Sequence, residues 1–358
     1  MKIICEQVNN QTSYRYEPHL LPSKAFFLCL DATGLTPEES HISVLSAGYF
    51  DNESFVITQW LNETGFEDDK ILKALFAFTK NHDLHTMITY YGSYFLMPFL
   101  AKKAKQCELA IEFDHFAGIS HVDLYKIAHR MKGVLHLQSC RQKKVEAALK
   151  ISRESNISGK DLVISYQHFV ALSRPVICDR LSDDLKEDCK KCREDLLFHN
   201  IEGLCLLTKL SILLLFPALR DGKDGVILQV SRTSAYDFSF ELSTDFPIAV
   251  TMNHQGMTFA LEGRICTLHV PVFAGEDDSD YVYCHPLRGF KDYYYLPYED
   301  RVVHRSLAAT YPKNEKEKAT ADNCYEWLSI YHPSFDTAAG LTSFVGDCLY
   351  YILYRLIH

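Results

Sequence analysis

The chain has 358 residues, 47% of them hydrophobic, and its 37 Lys and Arg against 46 Asp and Glu give a formal net charge of −9. That length predicts two or three domains of roughly 100–200 residues each, with ample apolar material for packed cores. The negative balance excludes a protein held to nucleic acid mainly by bulk positive charge, and 12 cysteines without the spacing of a small disulfide framework suit a reducing compartment, here expected to be the cytoplasm.

Residues 1–24 are polar apart from Ile3-Ile4 and read as an irregular N-terminal extension with no secretory leader. Ala25–Leu30 is an apolar run that ends in Asp31-Ala32-Thr33-Gly34, which predicts a buried strand entering a turn. His41–Phe50 and Ser54–Leu61 are β-rich and are separated by the turn signal Asp51-Asn52-Glu53, so the three runs predict an antiparallel meander. Glu67–Asn81 places Ile71, Leu72, Leu75, Phe76 and Phe78 at helical spacing. His85–Tyr91 is a short strand closed by Gly92. Phe95–Lys105 is a helix with Leu96, Phe99 and Leu100 inward and Lys102, Lys103 and Lys105 outward. His121–Leu124 is a strand that runs into a helix, and Gln142–Lys150, Leu162–Leu172 and Glu187–Leu215 are further helices. The most apolar window, Leu204–Leu219, is interrupted by Lys209 and Pro217 and is read as too short and too broken to span a membrane. Residues 25–220 therefore form an α/β domain, a mixed sheet flanked by helices.

Composition changes near Asp221-Gly222-Lys223-Asp224-Gly225. Residues 221–358 carry most of the excess negative charge and read as a mainly antiparallel β domain. Its runs are Val226–Val230, Phe238–Leu242, Ile248–Met252, Met257–Leu261, Ile265–Val272 and Tyr281–Cys284, a sheet or small barrel of about five or six strands. A hairpin is expected at Asn253-His254-Gln255-Gly256, an acidic loop at Glu276–Asp280, a helix around Val302–Ala309 and a closing helix over Leu341–Leu356.

Five stretches of the first domain carry a family resemblance. They are Cys29-Leu30-Asp31-Ala32-Thr33-Gly34-Leu35, Tyr91-Gly92-Ser93-Tyr94-Phe95-Leu96-Met97-Pro98-Phe99-Leu100, His121-Val122-Asp123-Leu124, Val145–Arg153 with Ile157-Ser158-Gly159, and His199-Asn200-Ile201-Glu202-Gly203-Leu204. In this order and on these elements the chain resembles the YprB-type branch of ribonuclease-H-fold 3′–5′ exonucleases, within the DnaQ-like (DEDD) superfamily. The resemblance implies a ribonuclease-H-like fold over roughly 26–210. It also implies a site where four acids hold two divalent metals that activate water.

The acids are where the chain departs. The four positions carry Cys29, Asp31, Leu96 and Gly203. Leu and Gly offer no ligand, and a thiolate suits Mg²⁺ poorly. The expected protein is therefore a catalytically degenerate exonuclease-family member, with no cofactor, that binds single-stranded nucleic acid, a nucleotide or a protein partner through the old cleft. His199 and Asp31 remain as a relic base and acid, and Thr33, Gly34, Tyr91 and Gly92 as nucleic-acid contacts. One alternative is an active exonuclease that holds Mg²⁺ or Mn²⁺ on displaced carboxylates, Asp31, Asp123 and Glu202. Another is a protein-interaction module that docks through the C-terminal domain. No membrane contact is expected. Cys189-Lys190-Lys191-Cys192 has zinc-ligand spacing without a second pair nearby, so ordinary thiols are the simpler reading.

Overall fold

The computed structural model describes residues 1–9, 18–52, 54–174, 182–275 and 281–357. It divides into two compact units, residues 1–129 with 137–212, and residues 130–136 with 213–358. The acidic loop expected at Glu276–Asp280 lies outside the described residues.

The first unit is built on a six-stranded mixed sheet with a ribonuclease-H-like fold. Its strands are β1 (Lys2–Asn9), β2 (Ala25–Ala32), β3 (Ile42–Asp51), β4 (Ser54–Leu61), β5 (Thr86–Thr89) and β6 (Ser120–Asp123), in the order β1-β4-β3-β2-β5-β6. The expected meander β2-β3-β4 is antiparallel, and β5 and β6 extend it in parallel. β1 departs from the reading of residues 1–24 as irregular. It pairs with β4 from Lys2↔Leu61 to Asn9↔Ser54, because the exposed edge of β4 gives its backbone a full ladder of partners.

Side chains alternate across β2. Phe26 and Leu28 join a core with Leu72 and Leu75 of α1 (Asp68–Asn81), Phe99 and Leu100 of α2 (Met97–Gln106), and Phe113 of α3 (Ala110–Ala117). The opposite face holds Val44, Leu61, Leu162, Tyr166, Phe169 and Leu196, and is covered by α6 (Gly159–Leu172) and α7 (Asp183–Leu210). Phe26, Phe27 and Leu28 are each at most 1% exposed. At about 1.5–3 kcal/mol per fully buried side chain, these three set the strand's register. α4 (Leu124–Arg130) and α5 (Gln142–Ala148) complete the set.

Lys103 was expected to face outward. It is instead 4% exposed, and its Nζ lies 3.1 Å from Asp68. Asp68 also accepts from the Ile42 amide at 3.0 Å, so the pair ties α1 and α2 to the start of β3. The helical stretch Asp183–Asp221, which contains the apolar window Leu204–Leu219, is long and apolar enough to cross a membrane by length and composition alone. Of that stretch's most apolar 18 residues, 61% are buried inside the protein.

The second unit opens with α8 (Leu215–Asp221), followed by β7 (Ile227–Arg232), β8 (Asp237–His254) and β9 (Met257–His269) in one antiparallel sheet. The expected hairpin sits at Gln255-Gly256. β8 and β9 each span two of the predicted runs. Irregular register between Glu241 and Val250 shifts the hydrophobic alternation, which makes one long strand look like two in sequence. Two further three-stranded sheets follow. One holds β10 (Val272–Ala274), β11 (Tyr281–Pro286) and β15 (Tyr325–Ser329), and the other holds β12 (Tyr293–Leu296), β13 (Arg301–His304) and β14 (Glu317–Lys318). β13 occupies part of the helix expected around Val302–Ala309, because Val303 packs with Leu296 and Ala308 as a strand pair of β12. The closing helix α9 (Ala338–Ile357) buries Phe344, Cys348 and Ile352.

Candidate functional site

The C-terminal end of β2 opens into a cleft of about 170 Å³. It is lined by Cys29, Asp31, Tyr90, Leu96, Arg153 and His199, with Gln142 and Gly203 among the remaining residues. Strand alternation turns Cys29 and Asp31 to the same face, toward α7. Helical spacing brings His199, Asn200 and Gly203 of α7 to meet them. Asp31 is the only carboxylate among the described residues that line the cleft.

Asp31 accepts a hydrogen bond from Asn200 Nδ2 at 2.9 Å. Burial pushes its carboxyl above the usual range, opposed by the nearby His199, by the Asn200 bond and by Arg153. Burial likewise pulls His199 below the ordinary imidazole value, opposed mainly by the Asp31 charge, so neutral imidazole is favoured. His199 Nδ1 lies 3.0 Å from Ser155 Oγ.

The three remaining acid positions are closed to metal chemistry. Burial raises the Cys29 thiol far above its ordinary value, with the Asp31 charge adding to the effect, so it stays protonated. Leu96 is 5% exposed and belongs to the hydrophobic core. At Gly203 a Cβ would lie 3.2 Å from Cys29 Sγ, so the sulfur has taken up space that a carboxylate side chain would need. This donor set does not fit a pair of divalent ions.

A cation is present nonetheless. Arg153, in the segment between α5 and α6, grips Glu146 with two charge-assisted bonds, Nε to Oε2 at 2.9 Å and NH2 to Oε1 at 2.6 Å. Its NH1 lies 3.6 Å from Glu202 Oε2. Gln142 Nε2 donates to Glu146 Oε1 at 2.9 Å. The sequence stretch carrying Arg153 was part of the resemblance, but nothing in it marked the arginine as a cleft residue. Only the fold brings the end of that segment over β2.

The fallback metal residues serve other purposes. Glu202 accepts the backbone N–H of Glu154 and, at 3.1 Å, that of Ser155, and so fastens the segment that delivers Arg153. Asp123 accepts from the amides of Tyr91 at 2.8 Å, Ser93 at 2.9 Å and Tyr125 at 3.1 Å. Asp31, Asp123 and Glu202 are not brought together. Among the described residues no group of three His, Cys, Asp or Glu is placed to hold a metal ion.

The expected contact residues are positioned as follows. Thr33 donates its backbone N–H to the His41 carbonyl at 2.9 Å, and its side-chain Oγ1 accepts the His41 amide at 2.9 Å. Thr33-Gly34 therefore closes the turn out of β2. Tyr91 has φ +61 and starts a π turn over Gly92–Leu96. A Cβ on Gly92 would fall 2.0 Å from Thr89 Oγ1 and 2.9 Å from His121 Nε2, so only glycine lets the turn sit against β5 and β6. Lys102 pairs with Glu38 at 2.8 Å. Lys143 Nζ donates to the Ile157 carbonyl at 3.3 Å and contributes positive charge near His199. Cys189 and Cys192 pack against the core on the α6 side. Tyr294 packs with Leu296 and Val303, and Tyr295 donates its hydroxyl to Asp300 at 2.5 Å, so the Tyr293–Tyr295 run serves packing.

Comparison with known proteins gives a family match for this unit. Residues 26–194 match the RNase_H_2 family model of the RNase H superfamily. No curated protein matches the chain. Among solved structures, the family B DNA polymerase of the hyperthermophilic archaeon Pyrobaculum calidifontis is 9% identical, with 93% of this chain and 46% of that one covered and a TM-score of 0.40. This chain thus spans less than half of the polymerase. A product-bound exonuclease I is 9% identical, with 93% and 70% covered and a TM-score of 0.31. A zinc-bound E. coli exonuclease I complex with single-stranded DNA is 10% identical, with 93% and 69% covered and a TM-score of 0.30.

Proposed function

Taking residues 26–194 as a domain of the RNase H superfamily, we propose that this protein is a catalytically degenerate exonuclease-type protein that binds single-stranded nucleic acid through the cleft at the end of β2. One observation carries the reading. Asp31 is the only carboxylate lining the cleft among the described residues, and the fixed positive charge there is Arg153. Hydrolysis of a phosphodiester in such a site needs an activated water and a countercharge for the leaving oxygen. A neutral His199 can accept a proton, but a lining with one carboxylate does not fit the metal pair that would activate a water for it. Lys143 beside the cleft supplies attraction for phosphate, Arg153 is already paired with Glu146 and lies near Glu202, and neither supplies a nucleophile.

The test uses the full chain with end-labelled single-stranded DNA and RNA in Mg²⁺ or Mn²⁺. The expected result is no shortening, together with binding that survives a chelator and weakens steeply as salt rises. Metal-dependent 3′ shortening that Asp31→Ala abolishes would overturn the reading in favour of displaced catalytic carboxylates. Failure to bind either polymer would overturn it in favour of a protein partner.

A further inference from the structure

The run that carries Tyr90 into the cleft continues onto the surface as an aromatic cluster. Tyr91 and Tyr94 are stacked, with ring centroids 5.3 Å apart and planes 26° from parallel. They are 45% and 59% exposed. Tyr125 of α4 stands edge-on to both, at 4.8 and 5.6 Å, and edge-on to Tyr90 at 5.9 Å. His129 lies 5.7 Å beyond Tyr125.

Two features separate this cluster from incidental surface aromatics. The first is rigidity. Asp123 holds the amides of Tyr91, Ser93 and Tyr125, so one buried carboxylate fixes the backbone of two ring residues and of the residue before Tyr94. Tyr91 is kept in a left-handed conformation that a bulky side chain adopts only under such constraint. Rigid rings lose little entropy when a flat partner covers them. The second is charge. The outward residues of α4 beside Tyr125 are Lys126 and His129, and the helix sequence Leu124–Arg130 contains no acid. Exposed planar rings interleaved with basic side chains are the arrangement that holds single strands, by base stacking with the phosphates on the cationic side.

We propose that Tyr91 and Tyr94, with Tyr125 and Lys126 at their side, form a platform on which a single strand stacks a nucleobase as it leaves the cleft through Tyr90. This rests on the nucleic-acid reading of the cleft and adds a second, separable contact to it. Asp123 is a positioning residue for the platform.

The experiment measures binding of a single-stranded oligonucleotide carrying 2-aminopurine, by anisotropy for affinity and by 2-aminopurine quenching for stacking. Tyr94→Leu removes one exposed ring. Tyr91→Asn removes the other with a residue that tolerates the left-handed backbone. Each is expected to weaken binding roughly 5- to 100-fold and to reduce quenching, the range that corresponds to one lost base–ring stack. Tyr94→Phe keeps the ring and is expected to bind and quench as wild type. Thermal unfolding of each variant verifies that the fold is retained. If the leucine and asparagine variants bind and quench as wild type while Lys143→Ala beside the cleft weakens binding, the platform is overturned and the cleft reading stands. If the wild-type protein binds no single strand, both fall.

Discussion

Asp31 is the residue on which the functional reading turns. It sits where a metal ligand would, yet the side chain that donates to it is the Asn200 amide. Burial raises its carboxyl above the unfolded value, so the charged form penalises folding at neutral pH, and the penalty fades as pH falls through the raised value and is gone below the unfolded one. Asp31→Asn removes the charge and keeps an oxygen for Asn200. The expected change in stability is within about 1 kcal/mol of zero and on the stabilising side, read by urea denaturation at pH 7. A clear loss of stability would show that the carboxylate is required. Cys29 and Gly203 bear on the same site sterically, since a Cβ at position 203 would lie 3.2 Å from the Cys29 sulfur, a tight contact. An aspartate placed there would need the Cys29 sulfur to give by a few tenths of an ångström.

At the scale of elements, the segment between α5 and α6 matters most. It has no regular structure over residues 149–158, and its position depends on the Arg153–Glu146 pair and on Glu202 gripping two of its amides. Glu146 is 1% exposed, so removing its partner strands a buried charge. Arg153→Ala is expected to cost about 3–5 kcal/mol in urea denaturation, and the double variant Arg153→Ala/Glu146→Ala to recover part of it. If both variants unfold like wild type, the segment is held by something other than this pair. The strands were the more readable elements. β2, β3 and β4 lie at their predicted places because apolar runs bounded by turn residues define a central strand locally. β1 was missed because an edge strand with polar side chains owes its structure to the partner's backbone, which its own sequence does not record.

For the molecule as a whole, the largest pH effect is expected in the second unit. His285 of β11 is 12% exposed and lies between Glu326 of β15 at 3.0 Å and Asp347 of α9 at 3.3 Å, with Arg288 bonded to Asp347 at 2.6 Å and the Phe344 ring alongside. Burial opposes the imidazolium, but the hydrogen bonds to the two carboxylates outweigh it and raise His285 to about 9. A histidine raised in this way stabilises the fold fully below its unfolded value, roughly 6.5. That contribution is lost as pH rises through about 9. Stability of the full chain is therefore expected to fall by about 2 kcal/mol between pH 6.5 and 9.5, after allowance for the half-exposed Glu326. His285→Gln should flatten that slope in a pH series of unfolding curves. An unchanged slope would assign the effect elsewhere.

The sequence alone determined the α/β architecture of the first unit, the order of its motifs and the loss of three acids from a four-acid pattern. These are properties of local runs and of residue identity, and they are legible because hydrophobic periodicity and the absence of a carboxylate need no coordinates. The tertiary structure decided the rest. It turned Glu202 away to two amides, set Asp123 beneath the tyrosines, buried Lys103 against Asp68 and brought Arg153 over the end of β2. Each of those outcomes depends on which backbone groups and charges lie within a few ångströms after folding. Residues 122 positions apart, such as Asp31 and Arg153, become neighbours only when the sheet and α7 close on one another.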